Sequence, residues 1–433
     1  MQNSTRPKKL IRITTVPMAL RYLLPGQMSY MSNNGYEVVM ISADGKELPD
    51  VIEQEQCRHI KVPMTRKITP FQDLKCLWQL IKIFRRERPD IVHSHTPKAG
   101  LLGMLAARIA GVKTRVHTVA GLPMMVEKGL KFRLLKSLEK ITYAASSHVW
   151  PNSESLFQYI IKQKLTNLGK LNIIGGGSTN GINTDRFNTE KLDPIKMQQV
   201  KAGIGYSADN TYLLSIGRLV KDKGIVETVN VFTGLYKENS SLRLILVGDF
   251  EEELDPLPAD TIHTIKNCDA IIHISWTNDV EYYMQLADNF IFASHREGFP
   301  NVLLQAGAMK LPVICSRITG NVDIVKQNET GLIFEPGNER QLQQLIKYAM
   351  SHKQVILGMA QTLKDKVVTE YQRSYIWQKI SDQYAIISVP ARSTPGVFQQ
   401  LNKIAADFVK QPSMLWEYFV LSIQLRRLSK RTS

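Results

Sequence analysis

At 433 residues and 43% hydrophobic content the chain can bury two cores of ordinary size, because a single core seldom grows past about 250–300 residues. Four scattered cysteines, Cys57, Cys76, Cys268 and Cys315, form no Cys-x-x-Cys pair, which argues against a zinc site or a disulfide framework and fits a reducing compartment. The net charge of +16 lies wholly in residues 1–205, where 31 Lys and Arg face 15 Asp and Glu, while residues 206–433 carry 24 of each sign.

That basic half suits an anionic partner, either a phospholipid surface or a lipid-linked diphosphate, and no recognised motif accompanies it that would make the partner nucleic acid. The start, Met-Gln-Asn-Ser-Thr-Arg-Pro-Lys-Lys, offers no apolar stretch of signal-peptide length, and no window of about 18 uncharged apolar residues follows, so neither a leader nor a spanning helix is expected. Short β-branched runs then alternate with amphipathic stretches: Leu10–Val16, Glu37–Ser42, His59–Val62, Asp90–His95, Arg115–Val119, His148–Pro151 and Leu171–Ile174. Such alternation predicts parallel strands with crossover helices. A second series runs Tyr212–Ile216, Leu242–Val247, Ala270–Ile274, Asn289–Ala293, Pro312–Cys315 and Gly331–Phe334, after a linker marked by Asn183, Asp185, Pro194 and Gly203. The expected domains are 1–200, 201–372 and a helical end 373–433, with the default ligand site in the cleft between the first two. In that end Val389–Gly396 is a breaker-rich linker, and Val397–Arg431 returns to helical spacing with Trp416, Tyr418, Phe419, Leu421 and Leu425 beside Arg426, Arg427, Lys430 and Arg431. A basic amphipathic segment of this kind lies on a membrane interface, packs back on the N-terminal domain, or does both.

Several strand ends carry candidate chemistry. No Gly-x-Gly-x-x-Gly follows the first strand, which counts against a dinucleotide-binding oxidoreductase. Asp90-Ile-Val-His-Ser-His-Thr-Pro-Lys-Ala-Gly100 ends a strand and opens a helix, placing His93 and His95 on one strand face and Thr96 and Lys98 at the helix start. Two alternating histidines need further ligands to hold a metal, and spacing places none. His117, in Arg115-Val-His-Thr-Val-Ala-Gly-Leu-Pro123, is either a catalytic candidate or an ordinary strand residue; Ala120 and Gly121 follow it. Gly175–Gly181 is glycine-rich and leads into Ile182-Asn183. Past the linker, a strand ends at Gly217, and Arg218 and Lys223 flank a tight loop from which a planar fork and a compact charge can close on one diphosphate.

The segment Ser294-His-Arg-Glu-Gly-Phe-Pro-Asn-Val-Leu-Leu-Gln-Ala-Gly-Ala-Met309 is the richest. It follows a strand and opens a helix, with Pro300 suited to the first helical position. A helix N-terminus at the carboxyl end of a parallel strand is where α/β sheets bind ligands and where bare N–H groups attract phosphate. Glu297 and Gln305, eight residues apart, can address different parts of one elongated ligand, and a nucleotide sugar has that shape.

The Glu-Gly-Phe-Pro core, with Gly-Arg-Leu and Lys-Gly at Gly217–Leu219 and Lys223–Gly224, resembles the retaining glycosyltransferases of family four, the group 1 enzymes with the GT-B fold. Lys98-Ala-Gly and Thr118-Val-Ala-Gly-Leu-Pro resemble their capsule and O-antigen branch. The resemblance implies an α/β fold of two doubly wound Rossmann-like domains facing across a cleft, with C-terminal helices crossing back to the N-terminal domain. It implies that Glu297 contacts the transferred sugar, that Gly298 and Phe299 offer backbone amides beside Pro300 and Asn301, and that Gln305 meets the ribose where the family has Glu. It makes Gly217, Arg218 and Lys223 the diphosphate clamp and Trp276, in His273-Ile-Ser-Trp276, a neighbour of the base. On the acceptor side it points to Gly26, in Pro25-Gly26-Gln27, and to His95, Thr96, Lys98, His117 and Gly121, although relatives carry histidine where Ala120 stands. Asn183 replaces the aspartate of the family's interdomain loop.

The function implied is transfer of a hexose or N-acetylhexosamine, with retention, from a nucleotide-diphosphate sugar to a polyprenyl-diphosphate-linked saccharide in surface polysaccharide assembly at the inner membrane face. No Asp-x-Asp motif stands in the chain, so no metal and no other cofactor are expected. The alternatives are a catalytically weak relative serving as a membrane-surface scaffold, motivated by Ala120 and Gln305, and a sugar-nucleotide epimerase.

Overall fold

A computed structural model describes residues 6–251 and 255–388. They form two six-stranded sheets, every strand pairing parallel. The first contains β1 (Lys8–Ile13), β2 (Tyr36–Ser42), β3 (Arg58–Lys61), β4 (Ile91–Ser94), β5 (Thr114–Val119) and β6 (His148–Pro151), in the order β3-β2-β1-β4-β5-β6. The second contains β7 (Thr211–Ile216), β8 (Leu242–Val247), β9 (Ile271–Ile274), β10 (Asn289–Phe292), β11 (Val313–Ser316) and β12 (Leu332–Phe334), in the order β12-β11-β10-β7-β8-β9. Both are the doubly wound order, in which the chain reverses direction across the sheet after three strands.

Strands covered by helices on both faces read as nearly continuous apolar runs, and those of these sheets do. Leu10, Ile11, Ile13, Val39, Ile41 and Val92 are buried, as are Leu213, Leu214, Leu244, Phe290 and Ile291. Arg12, in the middle of β1, is a charged exception, and it too is fully buried. The reversals fall between β1 and β4, where Arg12 pairs in register with His93, and between β7 and β10, where Leu214 pairs with Phe290.

One compact unit holds the chain up to Pro151, Ile160–Asn172 and the segment from Trp377, and the other holds Asn152–Tyr159 and Ile173–Ile376. The boundary expected at residue 200 therefore moves to 173, because Ile182, Phe187, Val200 and Ile204 bury their side chains in the core of the second sheet. A seventh strand at Leu171–Ile174 does not form; Leu171 makes a single bridge to Val149 before the glycine run begins. The helix Arg373–Ile387 returns to the first unit, where Trp377 packs against Tyr30 at 5.1 Å and Tyr384 against Trp150 at 5.7 Å. The expected segments 389–396 and 397–431, with the aromatic and basic residues named above, lie outside the described residues.

Candidate active site

In the second unit the loops after β7 and β10 flank the reversal, and both carry predicted residues. Gly217 closes β7 with its N–H on Val247 O at 2.9 Å, after which the chain turns through the single helical turn Lys221–Lys223 into helix Ile225–Glu238. Gly224 holds φ at +67°, and a Cβ there would stand 2.2 Å from the carbonyl oxygen of Ala293. Only glycine permits so close an approach, and the approach brings Lys223 to the end of β10. There Lys223 Nζ donates to Glu297 Oε1, with both side chains largely buried. Arg218, on the same loop and exposed, is bonded to Glu251.

The Glu297 turn is held from several sides. His295 N–H donates to Asp222 O at 2.8 Å, Arg296 pairs with Asp222 at 3.0 Å, and His295 Nε2 meets Glu227 Oε1 at 2.7 Å. The bond to Glu227, more than the opposing burial, raises the His295 pKa above its ordinary 6.5. The helix that follows spans Asn301–Ala308, one residue shorter at its start than expected: Pro300, with ψ of 109°, is the cap and not the first helical residue. Gly298 O lies under Gly320, and the Phe299 ring packs at 5.6 Å on Tyr371 in the core. Asn301 and Gln305 are half-buried, and among the described residues nothing bonds the Gln305 amide. Trp276, past the end of β9, is exposed and anchored by its N–H to Asp249 Oδ1 at 3.0 Å.

The first unit holds the acceptor-side candidates, and here the structure separates them. His93 and His95 stack with ring centroids 4.3 Å apart and share the Arg12 guanidinium, whose Nη1 lies 2.8 Å from His93 Nδ1 and 2.7 Å from His95 Nε2. Arginine only donates, so His93 carries its proton on Nε2, facing Thr118 Oγ1 at 2.7 Å, and His95 carries its own on Nδ1. That Nδ1–H is buried without a partner among the described residues. Burial first, then the neighbouring positive charges, holds both imidazoles well below the ordinary histidine range. Thr96 caps helix Pro97–Ile109 with φ at +71°, a rare backbone for a β-branched residue, and its Oγ1 lies 2.8 Å from Thr15 Oγ1.

Lys98 points elsewhere. Its ammonium is taken up by Asp73 Oδ1 at 2.8 Å, Thr65 Oγ1 at 3.3 Å, Thr69 Oγ1 at 3.4 Å and the carbonyl of Lys67, so it ties two helix starts together. His117 is also removed from the cluster. It lies on the opposite strand face, bonded through Nδ1 to Ser94 Oγ at 2.8 Å beneath Gly100, and burial lowers its pKa to about 4. Gly121 follows β5 at the sheet edge. Gly26 has φ of +80° and abuts the Trp377 ring; its N–H donates to Glu55 Oε1 at 2.6 Å, while Met28 and Ser29 donate to Glu55 Oε2 at 3.1 and 3.0 Å. The start of helix Gln27–Asn33 thus already holds an anion, the chain's own. In the second unit Asn183 Oδ1 accepts from the N–H groups of Asp185 and Arg186 and shapes its own turn.

Arg12, Glu55, Tyr384 and Glu251 were not singled out from the sequence. A charged residue inside a buried parallel strand is a signal in itself, and it marks Arg12. Among the described residues no group of His, Cys, Asp and Glu could hold a metal ion, and no helix is long and apolar enough to cross a membrane.

With this geometry in place, comparison with known proteins is direct. The profile of the family described as glycosyl transferases group 1 matches residues 198–365, and that described as glycosyl transferase 4-like matches residues 15–153. The chain is 31% identical over 377 residues to the capsular polysaccharide biosynthesis glycosyltransferase CapM of Staphylococcus aureus, covering 87% of this chain and 97% of that protein. It is 25% identical to the UDP-Gal:alpha-D-GlcNAc-diphosphoundecaprenol alpha-1,3-galactosyltransferase of Escherichia coli, covering 83% and 91% of the two chains. Among solved structures, a glycosyltransferase from Rickettsia africae superposes with a TM-score of 0.75 at 20% identity, covering 89% of this chain and all of that one. HepE from Anabaena in complex with UDP gives 0.72 at 16% identity, covering 87% and 99%.

Proposed function

This chain belongs to the group 1 glycosyltransferases of GT-B fold that act in capsular and lipid-linked saccharide biosynthesis, and we propose that it moves a hexose or N-acetylhexosamine, with retention, from a nucleoside-diphosphate sugar to a polyprenyl-diphosphate-linked saccharide. The observation that carries the reading is the meeting of Lys223 with Glu297 at the sheet reversal, with Arg218 on the same loop. Cations placed there neutralise the charge that grows on a departing diphosphate, and the role needs no metal. Glu297 orients the sugar. The acceptor oxygen forms its bond to the anomeric carbon on the face from which the diphosphate leaves, and the acceptor proton passes to the departing phosphate oxygen. No side-chain base is required.

The relative from Escherichia coli names a diphosphoundecaprenol acceptor, which supports a lipid-linked substrate. The test is release of nucleoside diphosphate from a panel of donors in the presence of a polyprenyl-diphosphate-linked saccharide, with and without a chelator. Expected is acceptor-dependent release that the chelator does not change. Release that needs no acceptor would favour epimerisation or hydrolysis, and binding of donor without release would favour a scaffold.

A further inference from the structure

In helix Pro70–Glu87 the residues Cys76, Leu80, Ile83 and Phe84 face the core, and the solvent face is made of Phe71, Leu74, Lys75, Trp78, Lys82 and Arg85, which recur at helical spacing over four turns. Phe71 is 76% exposed, Leu74 55% and Trp78 57%. Large apolar side chains so exposed on one stripe are unusual on a surface that meets only water. The stripe carries no acidic residue: Asp73 is buried on the inner side and Glu87 pairs with Lys9, Arg58 and Arg86.

We propose that this face rests on an anionic lipid surface, with Leu74 and Trp78 entering the headgroup boundary and Lys75, Lys82 and Arg85 meeting lipid phosphates. The inference rests on the reading that the acceptor is lipid-linked, and it names the surface by which the chain reaches it. The charge decides the occupant. A second copy placed face to face would set three cations against three, whereas an anionic interface offers apolar depth and negative charge together.

The position of the face also fits. A crossover helix begins where its strand ends, so Phe71 and Leu74 lie at the carboxyl edge of the first sheet, the edge that carries His95 and Thr96. Exposed Val126 and Leu130, ahead of and within the helix Gly129–Ala145, lie along the same edge. Lys98 is the mechanical link. Through its buried bond to Asp73 it fixes the first turn of the lipid-facing helix to the helix that Thr96 caps, so a chain seated on the membrane holds its acceptor-side residues in a set register to the lipid plane.

The test is flotation of the full chain with vesicles of phosphatidylcholine alone and of phosphatidylcholine mixed with phosphatidylglycerol. Expected is binding to the mixed vesicles that falls at high salt. Leu74→Ser with Trp78→Ser should lower the bound-to-free ratio at least about tenfold. Lys75→Gln with Lys82→Gln and Arg85→Gln should lower it by a similar factor on the mixed vesicles. Both variants replace exposed side chains and should keep the circular dichroism and the turnover of wild type on a detergent-solubilised acceptor. Unchanged flotation in both variants would overturn the proposal, as would equal binding to neutral vesicles. So would wild-type self-association that the Leu74→Ser, Trp78→Ser variant loses. Because the vesicles hold neither donor nor acceptor, this outcome is separate from whether the chain transfers sugar.

Discussion

Lys223 and Glu297 are bonded to one another at the carboxyl edge of the second sheet. Under the proposed function donor entry would be an exchange of partners: the ammonium would turn from a carboxylate to a diphosphate, and the released carboxylate would accept from sugar hydroxyls. Both residues are largely buried, so neither can lose its partner without a charged group to replace it. Glu297→Ala should lower turnover at least about tenfold, equivalent to about 1.4 kcal/mol of transition-state stabilisation. Lys223→Ala should raise the donor KM as well as lower kcat. In the double variant the losses should be less than additive, because each single change already breaks the pair. Steady-state kinetics on the four proteins measure this, and full additivity would mean that the pair does not act as a unit.

Arg218 is the other half of the proposed clamp, and its guanidinium is held by Glu251 at an exposed position. Exposed ion pairs contribute about 0–1 kcal/mol, so Glu251→Gln should release Arg218 at little cost to stability. Affinity for a nucleoside diphosphate, read by calorimetry, should rise by up to about fivefold at low salt and converge with wild type as salt increases. A fall in affinity would place Glu251 among the groups that bind the donor.

Much of this was legible in the sequence and part was not, and the division has a physical basis. β-branched runs between amphipathic segments report burial on both faces, which is a local property, and twelve of the thirteen expected strands form. The positions of the Gly217–Gly224 loop and the Glu297 turn at the ends of β7 and β10 could be read because each is a short segment directly following a buried strand. The partners of the acceptor-side candidates could not. His93 is oriented by Arg12 and by Tyr384, a residue 291 positions away, and no spacing rule brings these together. Lys98 resembles an acceptor-side residue, yet its fate is set by Asp73 and a loop that only the fold places beside it. His117 shows what alternation alone can do: next to Thr118, which meets His93, it faces the other side of β5 and meets Ser94.

Gln305 tests the departure from the family's pattern. A carboxylate at this position could accept from both ribose hydroxyls, whereas an amide offers one acceptor oxygen and two N–H donors. Since nothing among the described residues occupies the amide, Gln305→Glu should leave the fold untouched and change donor affinity by about 1–2 kcal/mol, the usual difference between charged and neutral hydrogen bonds. Thermal shift with a series of nucleotides and of the bases' bare diphosphates would read it. An unchanged affinity would remove residue 305 from the ribose.

His117 supplies a prediction about pH. It is fully buried, and burial lowers its pKa from 6.5 to about 4. The unfolded chain therefore binds a proton that the folded chain refuses, and the stability associated with the neutral imidazole is complete above pH 6.5 and is lost as the pH falls from 6.5 toward 4. Over the first unit of that descent the loss is about 1 kcal/mol from this residue. His117→Gln keeps an amide able to meet Ser94 Oγ but cannot titrate. It should lower stability at pH 7.5, where the imidazole fills its space beneath Gly100, and should weaken the fall in stability between pH 7.5 and pH 5.5 by about 1.4 kcal/mol relative to wild type. Urea unfolding at the two pH values measures the difference of differences, in which the contributions of the other buried histidines and of Glu139 cancel. Equal pH dependence in the two proteins would mean that His117 is already accessible to a proton in the folded chain.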